Sequence, residues 1–598
     1  MRCVWLRKID KNILLWIGRL LVYAMVFAAL LPYLDTGYVG DDIRDSLMRG
    51  YCINLNLNII QGLLVRLKIM VGQGRTDFVS WTVAYLIFYI TGTYREIYKL
   101  VIIMITMSSL YSAERFVGYH FKSKYIGAMY LLLCAAFFPI YMRGSNSVAM
   151  YWGFMQLEVV LFFEMFYFLE KYIDNRRRRD LLISGAIFML SLFMYEISYL
   201  YILAIVVIIF SRSRTDARKI AKPYMVLWGS ALLLSLICKI GSSIINPAMS
   251  YDGTSIGTGI KEMLQAFLIQ MLGAMPLYSF VAETVLSGGT GLCLNPGILV
   301  GVGILILCEM LLFKVCGHTV DSNKNEKEIK ECVLFGSILW MGVAAMIAVT
   351  VKYQRELPVS WAPHIPVYVE YFMLMLLVLV TYLWIKKKRM QLWVRCCIIL
   401  IVVVLGGYNY CVNEALVSQY VNETSLLYVD MPEMYQTACG NGLLDVIGTE
   451  DEVIIDIAYS PTIYPELLAQ ASGKAVIAER LDLFVTELVE KGCADGKYCP
   501  EGNLYITKSF CSQEQTVIYL EKVNAIELEG EKIKAIEISN VWVYCISEYQ
   551  PQCLTVIKDD IVDVIQYTQC RVQSKGDNQY LIELPAGVYD YYSYTYWN

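Results

Sequence analysis

Apolar residues run in long blocks through the first four hundred positions, with polar residues gathered between the blocks. A helix needs about 20 apolar residues to cross a bilayer. Blocks near that length lie at 13–34, 96–115, 124–141, 148–172, 181–210, 224–241, 294–314, 332–351, 368–386 and 393–411. Beyond 412 the pattern changes. Glu452–Ile457, Gln515–Leu520 and Val541–Tyr544 are short, β-branched and aromatic, and read as strands, whereas Pro461–Gln470 reads as a short helix. The pattern predicts a polytopic α-helical membrane domain over 1–411. An α+β or β-rich domain then follows over 412–598.

Lysine and arginine between the blocks set the orientation. Arg2, Arg7, Lys8 and Lys11 precede the first block, which lacks a short core and a small-residue cleavage site, so it reads as an uncleaved helix with a cytoplasmic amino end. Arg176–Arg179, the cluster Arg212, Arg214, Arg218, Lys219 and Lys222, and Lys386–Arg389 are expected on the same side. Two conditions reconcile these anchors. The apolar piece Phe78–Ile90 is too short to span and should lie on the outer surface, so that only 96–115 crosses. The 181–210 block would be about 45 Å long as one helix, against a hydrocarbon core of about 30 Å. It should therefore form a hairpin bent near Tyr195–Ser198, which brings Glu196 to the level of Asp41 and Asp42 at the outer face. The count becomes about 11 transmembrane helices on this length rule, with 35–95, 142–147, 242–293, 352–367 and everything after 412 outside. Met263–Val281, interrupted by Gly273 and Pro276, reads as a surface or re-entrant helix, and His120 and His318 fall in cytoplasmic loops.

Composition agrees. The chain is 57% hydrophobic and 17% charged, against about 25% charged for soluble proteins. Net charge is only −4 and no basic block is interleaved with aromatics, which argues against nucleic acid as a partner. Seven of the eighteen cysteines follow residue 430, where no histidine occurs. In an exported region this favours up to three disulfides over a zinc site.

The candidate chemistry gathers at the outer loops. Tyr38-Val39-Gly40-Asp41-Asp42-Ile43-Arg44-Asp45 follows the first block, and charges at a membrane boundary are costly and usually mark a site. On a strand or turn Asp41 and Asp42 would point oppositely. One carboxylate would take a proton from an acceptor hydroxyl while the other faces a metal or a phosphate. The bland reading is a turn or cap. Arg44 and Asp45 could pair beside them. Leu55–Met70 has apolar residues at helical spacing, with Gln61, Arg66 and Lys68 on other faces, as in an interfacial helix. Gly72-Gln73-Gly74-Arg75-Thr76-Asp77 closes that loop. Arg75 would touch a lipid phosphate or, equally, snorkel to headgroups. Arg143, Lys352 and Arg355 are further outer cations suited to phosphate. Tyr195, Tyr251 and His364 complete the candidate cavity, although a lone histidine is commonly a structural hydrogen-bonding residue.

These features together resemble the GT-C superfamily of polyprenyl-phosphate-sugar-dependent glycosyltransferases, especially bacterial members that decorate the cell envelope. The carrying residues are Gly40-Asp41-Asp42 after the first span, Gly74-Arg75 after interfacial helices, Tyr195-Glu196 in a split apolar pair, and Tyr251-Asp252-Gly253-Thr254 with Pro276 in an outer loop. The resemblance covers residues 10–411. It implies an inverting hexosyl transfer from a polyprenyl-phosphate-linked sugar to a surface polysaccharide or lipid acceptor. Asp41 or Asp42 would be the base and Glu196 would line the cavity. A divalent cation (Mg or Mn) is the one cofactor the resemblance leaves open, because Tyr195 precedes Glu196 where some relatives place a lysine. A lipid-linked saccharide flippase or transporter, or a non-catalytic scaffold presenting residues 412–598, is the alternative. Charges at the outer rim rather than the midplane, and the lack of related halves, weigh against a transporter.

Overall fold

The computed structural model describes residues 11–142, 146, 148–245, 255–257, 259–287, 303, 326–387, 392–448, 450–511, 515–547, 553–558, 561–576, 578–587 and 589–590. Arg143, Tyr251, His318, Asp252–Thr254 and, residue 303 apart, the 294–314 block lie outside them. The chain forms two compact units.

The first unit, built from 1–34, 63–86 and 96–421, is helical. Among the described residues six helices are long and apolar enough to cross a membrane: Asn12–Asp35, Arg95–His120, Tyr151–Asn175, Ala217–Ile245, Glu326–Ala348 and Val367–Trp384. The 181–210 block is two helices, Arg178–Leu192 and Tyr201–Arg212, separated by a short 3-10 turn at Glu196–Leu200. The break falls where polar Tyr195, Glu196 and Ser198 interrupt the apolar run. Met263–Val281 is likewise divided, into helices Ile260–Gly273 and Tyr278–Ser287, with Pro276 in the gap.

The unit's interior is aromatic. Phe116, Phe163, Phe166 and Phe335 pack with centroids 5.6–6.2 Å apart, within the range of favourable aromatic pairs. His120 corrects the loop expectation: it ends the helix Arg95–His120 and is fully buried. Its Nδ1 is 2.6 Å from Glu170 Oε1, and Arg212 reaches Glu170 at 3.2 Å and Glu331 at 2.8 Å. The ring therefore sits in an ionic cluster that no local pattern displays. The last long helix, Leu392–Ser425, runs fourteen residues past the end of the apolar block at 411. Its added turns carry polar residues such as Asn413, Glu414 and Gln419 that hydropathy cannot assign to a span.

The second unit comprises 35–62, 87–95 and 422–598. Its centre is a nine-stranded mixed sheet. The strands are β1 (Glu452–Ile455), β2 (Ile477–Arg480), β3 (Asp495–Tyr498), β4 (Leu504–Cys511), β5 (Gln515–Glu529), β6 (Lys532–Ser547), and further on β9 (Arg571–Gly576), β10 (Gln579–Glu583) and β11 (Tyr589–Asp590). A separate hairpin joins β7 (Cys553–Lys558) to β8 (Ile561–Gln566). Order along the main path is β2-β1-β4-β5-β6-β10-β9. β2, β1 and β4 are parallel and the rest antiparallel, so the unit is α/β at one edge and a β-meander at the other. Period-two alternation builds two cores. Ile454, Ile506, Val517 and Val543 pack with Phe484 and Leu488 of helix Leu481–Glu490 on one face. Val453, Ile455, Ile518 and Leu520 pack with Tyr435 of helix Met431–Gly440 and with Leu467 and Leu468 of helix Pro465–Ser472 on the other. Pro465 opens the last helix and Gly473, at φ 69°, closes it, each at the end where its backbone is favoured.

Leu47 belongs to that second core. The helix Met48–Asn54 lies so close to helix Pro465–Ser472 that a Cβ at Gly50 would collide with the Glu466 carbonyl. Asn54 Oδ1 accepts from the Val476 amide at 2.9 Å, and Tyr38 donates to the Gly92 carbonyl at 3.0 Å.

Three further expectations need correction. The helix expected over Leu55–Met70 starts at Ile59. Asn58 Oδ1 accepts the Ile60 and Gln61 amides at 3.0 and 2.9 Å and so caps it there. Asp41–Asp45 is a short helix rather than a strand or turn. Cys439, Cys493, Cys499, Cys545 and Cys570 are free thiols. Cys439 and Cys545 sit in the two cores, where a thiol acts as a small apolar side chain.

Candidate functional site

In the first unit a small cavity of about 50 Å³ is lined by Arg75, Asp77, Tyr195, Glu196, Ile197, Met346, Ile347, Thr350 and Tyr353. Three breaks in helical structure deliver these side chains. The first follows helix Ile59–Gly72. Gly74 adopts φ +76°, and a Cβ there would meet Lys239 Cα and Ser242 Cβ at 3.2 Å. Ser242 Oγ donates to the Gly72 carbonyl at 2.6 Å, so this turn is pressed onto helix Ala217–Ile245. The second break is the extended Tyr195 before the 3-10 turn. The Val79 amide donates to the Phe193 carbonyl at 3.0 Å, tying the first break to the second. The third lies between helices Glu326–Ala348 and Val351–Ser360. There Ile256 bridges Thr350, and the Gly257 amide donates to the Val349 carbonyl at 2.8 Å.

Arg75 grips Asp77 in a fork, Nε to Oδ1 at 3.2 Å and Nη2 to Oδ2 at 2.6 Å. Trp81 Nε1 donates to the same Oδ2 at 2.8 Å, and the guanidinium lies 5.2 Å from the Trp81 ring. Glu196 is solvent-accessible but walled by protein. Desolvation, and then the charge of Asp77, raise its pKa, with Arg75 and Lys239 opposing. Across the cavity His364 Nε2 lies 2.7 Å from the Tyr353 hydroxyl and 3.1 Å from the Tyr195 hydroxyl. Gln270 holds the His364 backbone at both ends, accepting from its amide at 2.7 Å and donating to its carbonyl at 3.2 Å. The Gln270 amide also reaches Glu370 at 2.9 Å. Burial, and then the Lys352 ammonium, push the His364 pKa down to about 3, so the ring is neutral at physiological pH.

Of the residues singled out from sequence, the structure brings Arg75, Tyr195, Glu196 and His364 together. Lys352 is half-buried near His364, whereas Arg355 is exposed on the same helix. Asp41, Asp42 and Arg44 belong to the other unit. There Asp42 is 1% exposed, while Asp41 and Arg44 face solvent. Asp45 is buried, so Arg44 and Asp45 occupy different environments and the pairing expected of them is not seen. Asp77, Tyr353 and Gln270 were not singled out. Asp77 had a signal, since it stands two residues after Arg75 beside the Gly74 turn. Gln270 had none, because its role depends on contacts 94 residues away.

A hexose does not fit a space of about 50 Å³, which holds a water or two. What the arrangement offers is a carboxylate with raised proton affinity, an oriented guanidinium, and two tyrosine hydroxyls on a neutral imidazole. Among the described residues no group of three His, Cys, Asp or Glu side chains could hold a metal ion. Asp77 is already engaged by Arg75 and Trp81.

No family model matches the chain, and no curated protein does. Among solved structures it is similar to ArnT from Cupriavidus metallidurans bound to undecaprenyl phosphate. The TM-score is 0.35 at 12% identity, over 82% of this chain and 92% of that one. At that TM-score the likeness fixes no residue correspondence. The chain is thus a mostly helical protein with at least six candidate spans and a carboxy-terminal sheet unit.

Proposed function

We propose that the protein is an integral-membrane glycosyltransferase that moves a sugar from a polyprenyl-phosphate carrier to a cell-envelope glycan or lipid acceptor. The observation carrying this reading is the meeting of the Arg75–Asp77 pair, Glu196 and the Tyr195–His364–Tyr353 chain in one cavity formed at helix breaks. Charges gathered at a membrane boundary are costly and usually mark a site. In this reading Arg75, oriented by its fork on Asp77, and Lys352 hold the phosphate oxygens. Tyr195 and Tyr353, fixed by His364, donate to the sugar or the leaving phosphate. The carboxylate that takes the acceptor proton is Asp41 or Asp42, as the sequence resemblance implies, and Glu196 orients the sugar. Transfer breaks the bond between the anomeric carbon and the phosphate oxygen and forms one to the acceptor oxygen. The proton passes to the carboxylate and the polyprenyl phosphate leaves as an anion. Entry of the donor requires a space larger than the cavity of about 50 Å³ between these side chains.

The test is transfer of radiolabelled sugar from a polyprenyl-phosphate donor by purified protein in liposomes. Wild type should transfer, and Arg75→Ala and Asp41→Asn with Asp42→Asn should not. Movement of intact carrier across the bilayer without transfer would show a flippase instead.

A further inference from the structure

Helix Ile260–Gly273 turns one face towards the candidate site, and that face carries Ala266, Gln270 and Gly273 at spacings of four and three. Its small residues permit close approach. Ala266 packs with Tyr353, Ile347 and Leu357, and a Cβ at Gly273 would lie 2.5 Å from Pro363. Gln270 is thereby pressed onto the segment Pro363–Pro366, just ahead of helix Val367–Lys387. A proline at each end of that segment removes an N–H, and the His364 amide, lying before the helix, has no helical carbonyl to donate to. Left unpaired it would be costly. Gln270 Oε1 accepts it at 2.7 Å, and Gln270 Nε2 donates to the His364 carbonyl at 3.2 Å.

A glutamine amide can meet such a segment either way round. Turned end for end, its NH2 group would face the His364 amide, donor against donor. Glu370, in the first turn of helix Val367–Lys387, selects the working sense. Its Oε2 accepts from Gln270 Nε2 at 2.9 Å, which uses the second hydrogen of the NH2 group. Both side chains are 0% exposed, so bulk water does not replace either bond. Glu370 Oε1 has no hydrogen-bond partner among the described residues, so the clamp asks one acceptor oxygen of this side chain. From the clamped backbone the ring reaches both tyrosines, with Nε2 at 2.7 Å from the Tyr353 hydroxyl and 3.1 Å from that of Tyr195. We propose that Glu370 is a positioning residue for the candidate site, holding Gln270 in the orientation that clamps the His364 backbone and seats its ring between the two tyrosines. The proposal deepens the sugar-transfer reading and rests on it for the kinetic part of its test alone.

The full chain is purified in detergent with isotope-labelled histidine, and the ring nitrogens are followed by NMR in wild type, Glu370→Met, Glu370→Gln, Gln270→Met and the double variant Gln270→Met with Glu370→Met. His364→Gln assigns the signal among the three histidines of the chain. Lys352, the charge that acts on this ring, is kept throughout. In wild type the ring should stay neutral at about pH 5, whereas in Glu370→Met it should titrate near the ordinary value of about 6.5. Glu370→Gln, which still offers an oxygen, should restore the wild-type signal, and in the Gln270→Met background Glu370→Met should add nothing. Sugar transfer by Glu370→Met should lose about tenfold in kcat with KM little changed, again with rescue by glutamine. If the methionine variants fold poorly, exchange of the Gln270 side-chain NH2 hydrogens in deuterated solvent is read on wild type, and both should be slow. A ring that stays neutral in Glu370→Met, a glutamine variant as loose as the methionine one, additive effects in the double variant, or rapid exchange of either Gln270 hydrogen would overturn the assignment. A wild type that transfers no sugar would sink the function proposed above, while the ring signals still decide this inference.

Discussion

Tyr353 and His364 meet hydroxyl to Nε2 at 2.7 Å, with ring centroids 4.1 Å apart. The contact joins helix Val351–Ser360 to the Pro363–Pro366 turn, and Tyr195 adds a second hydroxyl to the same nitrogen. A histidine held this way, with its pKa pushed down to about 3, works as a neutral hydrogen-bonding hinge. Its unfolded value is about 6.5, so the unfolded chain binds the extra proton first as pH falls. The stabilisation is full above pH 6.5 and is lost as pH drops towards 3. Thermal melts of wild type should decline over that window, and those of His364→Gln should decline less. The transfer rate should show no limb near pH 6.5 from this group.

Arg75 and Glu196 are expected to act differently. Arg75→Lys keeps the charge but loses the fork on Asp77, so binding of the phosphate donor should weaken, read as a raised KM. Glu196→Gln should lower kcat while leaving insertion intact. If Glu196 instead takes the acceptor proton, the loss should reach about 100-fold. Wild type would then show an acid limb above the usual carboxylate range, because burial and Asp77 raise the Glu196 pKa. Absence of that limb, with a smaller loss, leaves the proton to the tandem aspartates.

Neighbours in sequence, Asp41 and Asp42 should separate cleanly by experiment. Asp42 is buried and Asp41 is exposed. Asp42→Ala should cost about 1–3 kcal/mol, the penalty of leaving buried partners unmatched, seen as a lowered melting temperature. Asp41→Asn should leave the melt unchanged, so that any lost transfer is chemical.

In the sheet unit, Lys508 and Glu521 form a buried pair at 2.9 Å, with side chains 9% and 0% exposed. Desolvation outweighs the lysine and raises the Glu521 pKa to about 7 from 4.5. Below pH 4.5 both folded and unfolded chains carry the proton and the stabilisation is complete. As pH rises towards 7 the unfolded chain releases it first, so stability falls, by at most about 3 kcal/mol. Hydrogen-exchange protection of β4 and β5 amides, corrected for intrinsic rates, should decline across that range in wild type and stay level in Glu521→Gln.

Hydropathy blocks disclosed the six long apolar helices among the described residues, whereas the 124–141 block forms only the shorter helix Lys124–Ala136. The break at Tyr195–Ser198 was readable as well, as three polar residues interrupt an apolar run too long for one span. The strands at Glu452, Gln515 and Val541 were readable as short β-branched and aromatic runs. What pattern could not carry was partnership. Nothing near His120 tells that Glu170, Arg212 and Glu331 surround it. The cysteine count suggested disulfides because number and compartment say nothing of distance, whereas Cys439 and Cys545 fill separate cores. Asp77 was passed over although the guanidinium that grips it stands only two residues before it.

Gly50 lies flush against the turn of helix that begins at Pro465, and Leu47 shares the core beneath that helix. The amino-terminal aspartate segment is thus built into the sheet unit, although nearly four hundred residues separate them along the chain. A fragment starting at Asn422 would be missing one of its own walls. Any displacement of the sheet unit carries Asp41 and Asp42 as passengers, so a ligand that grips this unit has a mechanical handle on the tandem carboxylates.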